Sequence, residues 1–142
     1  MGDATSDDTL VQVLRNTRVI AVVGASLDPA RPSHDVTRFL VQMGYKVIPV
    51  NPKFAGATLH GANVVSSLAE AGEADMVDIF RRSDAVPEVV EDALVHLPKL
   101  RTVWMQLGVR NAAAARQARA QGVTVVQDRC PKIEYPRLSA RL

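Results

Sequence analysis

The chain has 142 residues, 47% hydrophobic and 23% charged, with a formal net charge of +2. That is enough chain for one domain with a substantial core. The charge is too slight for a broad nucleic-acid or membrane-surface role, and no apolar run approaches the ~18 residues that span a bilayer. One cysteine, Cys130, excludes an internal disulfide, and the acidic start MGDATSDD is not the basic lead of a secretory signal, so the expected address is the cytoplasm.

Residues 1–5 are small and polar and are expected to fray. Ser6 is placed to cap a helix with Asp7 and Asp8 in its first turn and Leu10, Val11 and Leu14 on one face. Val19-Ile20-Ala21-Val22-Val23 is apolar without alternation, as a strand covered on both faces must be, and it stops at Gly24. A loop containing Pro29 and Pro32 leads to a helix beginning at Ser33. Its stripe Val36, Phe39, Leu40, Met43 has helical spacing, and Gly44 sits where a left-handed cap belongs. Lys46 to Val50 reads as the second strand, with pairing expected to stop near Pro49.

Residues 51–72 are irregular, with an extended piece at 63–65 and one helical turn at 67–71. Met76 to Phe80 is the third strand. Arg81-Arg82-Ser83 follows as a loop, and Ser83 or Asp84 is expected to cap a helix that buries Val86, Val89, Val90, Ala93, Leu94 and Leu97. Thr102 to Met105 is the fourth strand. Asn111 caps the alanine-rich helix 112–121, Val123 to Val126 is the fifth strand, and 128–134 turns into a last short helix. Strand and helix alternate, which predicts a doubly wound α/β fold: a mainly parallel five-stranded sheet with helices on both faces, formed by residues 1–142 as a single domain.

In such a fold the ligand lies at the C-terminal strand ends, where the strand order reverses. The loops that converge there are Gly24-Ala25-Ser26, Asn51-Pro52-Lys53, Phe80-Arg81-Arg82-Ser83 and Gln106-Leu107-Gly108. They are polar and cationic, which suits phosphates and amides. A dinucleotide fingerprint would place glycines at 26 and 29, but Ser26 and Pro29 stand there. Ser33, helped by Arg31, reads equally as a phosphate contact at a helix start or as a helix cap. The acid that holds the ribose in NAD sites is replaced by Asn51, with Lys53 near it. A phosphorylated ribose, as in coenzyme A or NADP, suits this better, although Lys53 also reads as a solvated lysine. Of the adjacent Arg81 and Arg82, one is expected to face the site and the other to form a surface ion pair. Gln106 is placed to meet a ligand amide. The three histidines have no metal-binding spacing, and no acid–base pair or nucleophile triad emerges. Cys130 reads as a buried thiol, and Asp78, unusual inside a strand, is left undecided.

The segments GASLDPARPSHDV, GYKVIPVNP, DMVDIFRRSDAVPEVV, VWMQLGV and VVQDRCPKIEYPRL resemble those of the small stand-alone CoA-binding domain proteins. These are similar to the CoA-binding domain of the succinyl-CoA synthetase alpha subunit and of ADP-forming acyl-CoA synthetases. The resemblance runs over about residues 7–138. It implies a Rossmann-like fold with CoA or acyl-CoA across the strand ends. Gly24, Ala25 and Ser26, with Arg31 and Ser33, would line the adenosine and phosphate end. Pro49, Val50 and Asn51 would flank the nucleotide, Phe80, Arg81 and Arg82 would meet the middle of the ligand, and Trp104, Gln106 and Gly108 the pantetheine side. The synthetases carry their phosphorylated histidine in a further domain, so their ligase chemistry is not carried over.

The expected function is therefore a non-catalytic CoA carrier, sensor or subunit, with no metal, nucleic-acid or membrane partner. An acyl-CoA-dependent or NAD(P)-linked enzyme and an interaction module without ligand are the alternatives. A homodimer or a partner enzyme is left open. Because CoA is itself a thiol, a tail folded over the pantetheine end would bring Cys130 within reach of a mixed disulfide.

Overall fold

The computed structural model describes residues 5–142. Residues 1–4, expected to fray, lie outside the described residues. Thr5 is held in place, because its carbonyl accepts a hydrogen bond from the Arg129 guanidinium at 3.3 Å. The elements run α1 (Asp7–Asn16), β1 (Val19–Val23), α2 (Pro32–Gln42), β2 (Lys46–Val50), β3 (Thr58–Leu59), β4 (Ala62–Asn63), β5 (Met76–Ile79), α3 (Val86–His96), β6 (Thr102–Met105), α4 (Ala112–Ala120), β7 (Thr124–Val126) and α5 (Pro131–Arg137).

Five strands form one sheet in the order β2-β1-β5-β6-β7, and every neighbouring pair is parallel. This is the expected doubly wound, Rossmann-like α/β architecture. Alternate residues face opposite layers. Ala21, Val23, Val77, Ile79, Val103, Met105 and Val125 pack under α3 and α4. Ile20, Val22, Met76, Trp104 and Val126 pack under α1, α2 and α5. The strands read as continuous apolar runs because both faces are covered. After β1 the chain moves outward to β2 and then returns to the other side of β1 as β5, so the strand order reverses between β1 and β5.

The caps follow the local chemistry. Ser6 Oγ accepts from the Thr9 N–H at 3.2 Å, and Asn111 Oδ1 accepts from the Ala114 N–H at 2.9 Å. Ser83 departs from expectation. It lies in a 3-10 turn (Ser83–Ala85), α3 begins at Val86 without a side-chain cap, and Ser83 Oγ instead accepts from the Arg110 N–H at 3.0 Å. It thus ties the loop after β5 to the loop after β6.

Pairing does not stop at Pro49. The register carries Val22↔Pro49 and Val23↔Val50 to the end of both strands. In a parallel ladder alternate residues turn their backbone groups to opposite sides. The Val50 carbonyl turns to β1, where it accepts from the Gly24 N–H, whereas the Pro49 carbonyl turns outward, where it accepts from the Val65 N–H at 2.9 Å. The missing proline N–H therefore costs β1 nothing. Residues 51–72 are more ordered than their composition suggests. A 3-10 turn (Pro52–Phe54), the β3–β4 hairpin and a parallel bridge from Val50 to Val65 cover the outer edge of β2.

The C-terminal segment returns to α1 and α2. Arg137 bridges Asp7 at 2.8 Å and Glu134 at 2.7 Å, Arg141 meets Asp8 at 2.6 Å, and Lys132 pairs with Asp35 of α2. The Arg137 guanidinium holds the Asp7 carboxyl below the usual carboxylate range.

Asp78 is fully buried in β5, and neither carboxyl oxygen has a hydrogen-bond partner among the described residues. Burial pushes its pKa well above the ordinary carboxylate value, making it a weaker acid. A raised folded-state value means that stability is fullest below the unfolded-state value of 3.8 and is lost as pH rises towards the folded-state value. Asp78→Asn removes that cost. The variant is expected to unfold at a higher temperature than the parent at pH 7, with the gap narrowing as pH falls towards 4. Thermal unfolding across pH measures this, and a gap that does not change with pH would contradict it.

Candidate functional site

The reversal point of the sheet opens into a cavity of about 620 Å³ at the C-terminal strand ends. This lies within the range of small-molecule sites. A hollow at the opposite strand ends, beside Asp75 and Thr102, measures about 100 Å³ and is too small for a nucleotide.

Gly24 sits at the back of the cavity with φ +89°, where a Cβ would stand 2.4 Å from the Phe80 carbonyl oxygen. The ends of β1 and β5 approach this closely only because residue 24 has no side chain. The loop after Gly24 is held by its own side chains. Ser26 Oγ accepts from the Asp28 N–H at 3.0 Å, and Asp28 Oδ1 accepts from the Ala30 N–H at 2.9 Å. Ser26, Asp28 and Arg31 all line the cavity.

Ser33 is not a helix cap. The helix starts one residue earlier than expected, at Pro32, with Arg31 at the cap position and no side-chain cap bond. Ser33 lies inside the first turn, buried and lining the cavity. The start of α2 therefore brings uncapped backbone donors, a hydroxyl and the Arg31 guanidinium to one wall, an arrangement suited to an anion.

Asn51 lines the cavity and also joins two loops. Its Nδ2 donates to the Ala25 carbonyl at 2.8 Å, and its Oδ1 accepts from the Lys53 N–H at 3.0 Å. Ala25 is buried and takes part through this carbonyl; its side chain is not on the cavity wall. Pro49 and Val50 are likewise buried behind the wall. Lys53 reaches the cavity, with its ammonium 5.4 Å from the centre of the Phe54 ring.

The two adjacent arginines separate. Arg81 lines the cavity with Phe80. Arg82 turns outward, its side chain 83% exposed and paired with Asp84 at 3.2 Å. Arg31, Lys53 and Arg81 have no carboxylate partner among the described residues, and Asp28 is the one acid on the same wall. The site is thus net positive although the protein is nearly neutral.

On the β6 side, Gln106 lines the cavity together with Leu107 and Cys130. Trp104 is fully buried below it, and its indole N–H donates to the Arg129 carbonyl at 2.8 Å, fixing the loop before α5. Gly108 lies off the wall. Its N–H donates to Asp128 Oδ1 at 2.7 Å, which with Arg110 holds the Asp128 carboxyl below its usual range. Trp104 and Gly108 therefore shape the wall from behind.

Sequence reasoning does not name Asp28, Pro32, Val36, Phe54 or Val109 as wall residues; it has Leu107 only within a converging loop and Cys130 only on the condition that the tail folds over the ligand. Val109 and Leu107 follow β6, so their place was open to the strand-end rule. Cys130 arrives only through the fold of the tail. No group of His, Cys, Asp or Glu fit to hold a metal ion occurs among the described residues, and none of their helices is long and apolar enough to cross a membrane.

A Rossmann-like sheet with a cationic crevice at its reversal point defines the class of this protein. Within that class, the CoA binding domain family model matches residues 18–136, and the chain belongs to this family. It is 39% identical over 126 residues to the uncharacterized protein YneT of Bacillus subtilis, covering 87% of this chain and 90% of that protein. It is 32% identical over 87 residues to the alpha subunit of ADP-forming acetate–CoA ligase I from Pyrococcus furiosus, covering 58% of this chain but only 19% of the subunit. A solved structure from Thermus thermophilus, cell-free ID.343, superposes with a TM-score of 0.87 at 38% identity, over 94% of this chain and 99% of that one.

Proposed function

We propose that residues 1–142 act as one unit that binds coenzyme A, free or acylated, across the C-terminal strand ends. The unit serves as a non-catalytic carrier, sensor or subunit rather than as a ligase. The observation that carries this reading is the set of three cations, Arg31, Lys53 and Arg81, that have no carboxylate partner among the described residues, around a cavity whose β2 end is lined by no described acid. CoA bears a pyrophosphate and a ribose phosphate, so it needs cations where an NAD site needs a carboxylate. Membership of the CoA binding domain family supports the same ligand.

In this reading the start of α2, with Ser33 and Arg31, receives the pyrophosphate. Lys53 meets the ribose phosphate. Asn51 keeps the β1 and β2 loops together, and Arg81 closes over the middle of the ligand. The Gln106 carboxamide meets a pantetheine amide, with Leu107 and Val109 beside the arm. Gly24 and Ser26 shape the turn beneath. Ligase chemistry is not assigned, because the shared region is a small part of the ligase subunit.

Calorimetric titration with CoA, 3′-dephospho-CoA, NAD and NADP tests the proposal. CoA is expected to bind tightest, with dephospho-CoA weaker by about tenfold or more, the worth of one lost charge-assisted contact. NAD binding as tightly as CoA would overturn the reading. Equal binding of CoA and dephospho-CoA would remove the role given to Lys53.

A further inference from the structure

We propose that Cys130 is a covalent exchange site for the sulfur end of the ligand, accepting one CoA half from a CoA disulfide to give a protein–CoA mixed disulfide. The inference rests on the CoA reading above. It starts from the polarity of the cavity. Lys53 and Asn51 stand at the β2 end, while Leu107 and Val109 follow β6 and Cys130 follows β7, three and four strands away in the sheet order. A ligand that anchors its phosphates among the cations directs its far end towards Cys130. In CoA that far end is the thiol.

A second feature marks the same wall as built for a ligand. Gln106 is 6% exposed and lines the cavity with Cys130, yet its Oε1 has no hydrogen-bond partner among the described residues. A buried, unpaired carboxamide oxygen is costly unless something completes it. Burial raises the Cys130 thiol, and the neighbouring Gln106 side chain acts against this by favouring the thiolate. One residue of the wall thus carries an unpaired acceptor for a pantetheine amide and neighbours the attacking sulfur.

Burial opposes casual reactivity. Cys130 is 6% exposed, and desolvation pushes its thiol above the ordinary value. The raised value slows attack on every disulfide alike, so only a disulfide that the cavity holds close to Sγ is expected to react readily. The cavity selects the disulfide that carries the nucleotide. In the exchange, Sγ forms a bond to one CoA sulfur and the incoming S–S bond breaks. The other CoA leaves as a thiol and takes up the proton that Cys130 gives up. Cys130 is oxidised and the disulfide reduced, so no further oxidant is required.

The whole chain, reduced and freed of reductant, is incubated in parallel with CoA disulfide and with glutathione disulfide at equal concentration and followed by intact mass. Reversible binding of reduced CoA is measured separately by calorimetry. The expected result is a dithiothreitol-sensitive adduct of one CoA less two hydrogens, forming about tenfold or more faster than the glutathione adduct. Reversible CoA binding with no CoA adduct, or with equal rates for the two disulfides, would overturn this inference and leave the binding function standing. Absence of both the reversible binding and the adduct would overturn the two together.

Discussion

Arg81→Ala is expected to weaken CoA binding by about 1.5–3 kcal/mol, the worth of charge-assisted contacts, whereas Arg82→Ala changes it by less than about 0.5 kcal/mol. The two residues are neighbours in sequence and identical in chemistry, so composition and net charge cannot separate the variants. Their surroundings differ. Arg81 is on the cavity wall with no carboxylate partner among the described residues, and Arg82 already has Asp84 at 3.2 Å in open solvent. Exposed pairs of that kind are worth little, so losing Arg82 should cost little in stability as well. Titrating both variants with CoA by calorimetry decides the matter. Equal losses would mean that the net positive charge, and not the placement of Arg81, attracts the ligand.

The second large effect is expected at Gly24. Gly24→Ala meets two penalties at once: a left-handed backbone and a Cβ placed 2.4 Å from the Phe80 carbonyl oxygen. A side chain in that backbone region costs about 1–3 kcal/mol, and the clash adds about 1–3 kcal/mol because β1 and β5 must part. Together they come to about 2–6 kcal/mol, a large fraction of the stability of an ordinary domain. Gly56→Ala is the matched control. Its φ is +90°, but nothing lies within 4 Å of the added atom. It should lose only the backbone part. Urea unfolding of the two variants separates the terms, and similar losses would show that the approach of Gly24 to Phe80 is not what demands glycine. CoA binding should fall only for Gly24→Ala, because only that change moves the back of the cavity.

Much of this architecture was legible from residue patterns. Unbroken apolar runs such as Val19 to Val23 marked strands covered on both faces. The period of Val36, Phe39 and Leu40, the Asn111 cap and the glycine closures placed the helices. These signals are local: each depends on a few neighbours along the chain and on which side chains must leave water. The alternation of strand and helix then left few topologies open, and the strand-end rule brought Gly24, Asn51, Phe80 and Gln106 to one crevice.

The side chains that make the crevice specific depended on contacts far apart in sequence. Pro49 kept its place in the ladder because its nitrogen turns away from β1, a matter of strand register. Asn51 bonds to Ala25 across 26 positions, so its role as a joint between loops has no local signature. Trp104, expected to meet the ligand, is buried instead, and its indole holds the loop that delivers Cys130 to the wall.

By itself, then, the sequence determined the layers, their order and the loops that meet at the reversal point, because hydrophobic periodicity and caps act over a turn or a strand. Only the tertiary structure decided that Arg81 and not Arg82 faces the cavity, that Ser33 is free of capping duty, and that a cysteine from the last loop joins the wall. Such outcomes depend on the direction of each side chain once distant strands have set the backbone, and that direction is a property of the assembled sheet.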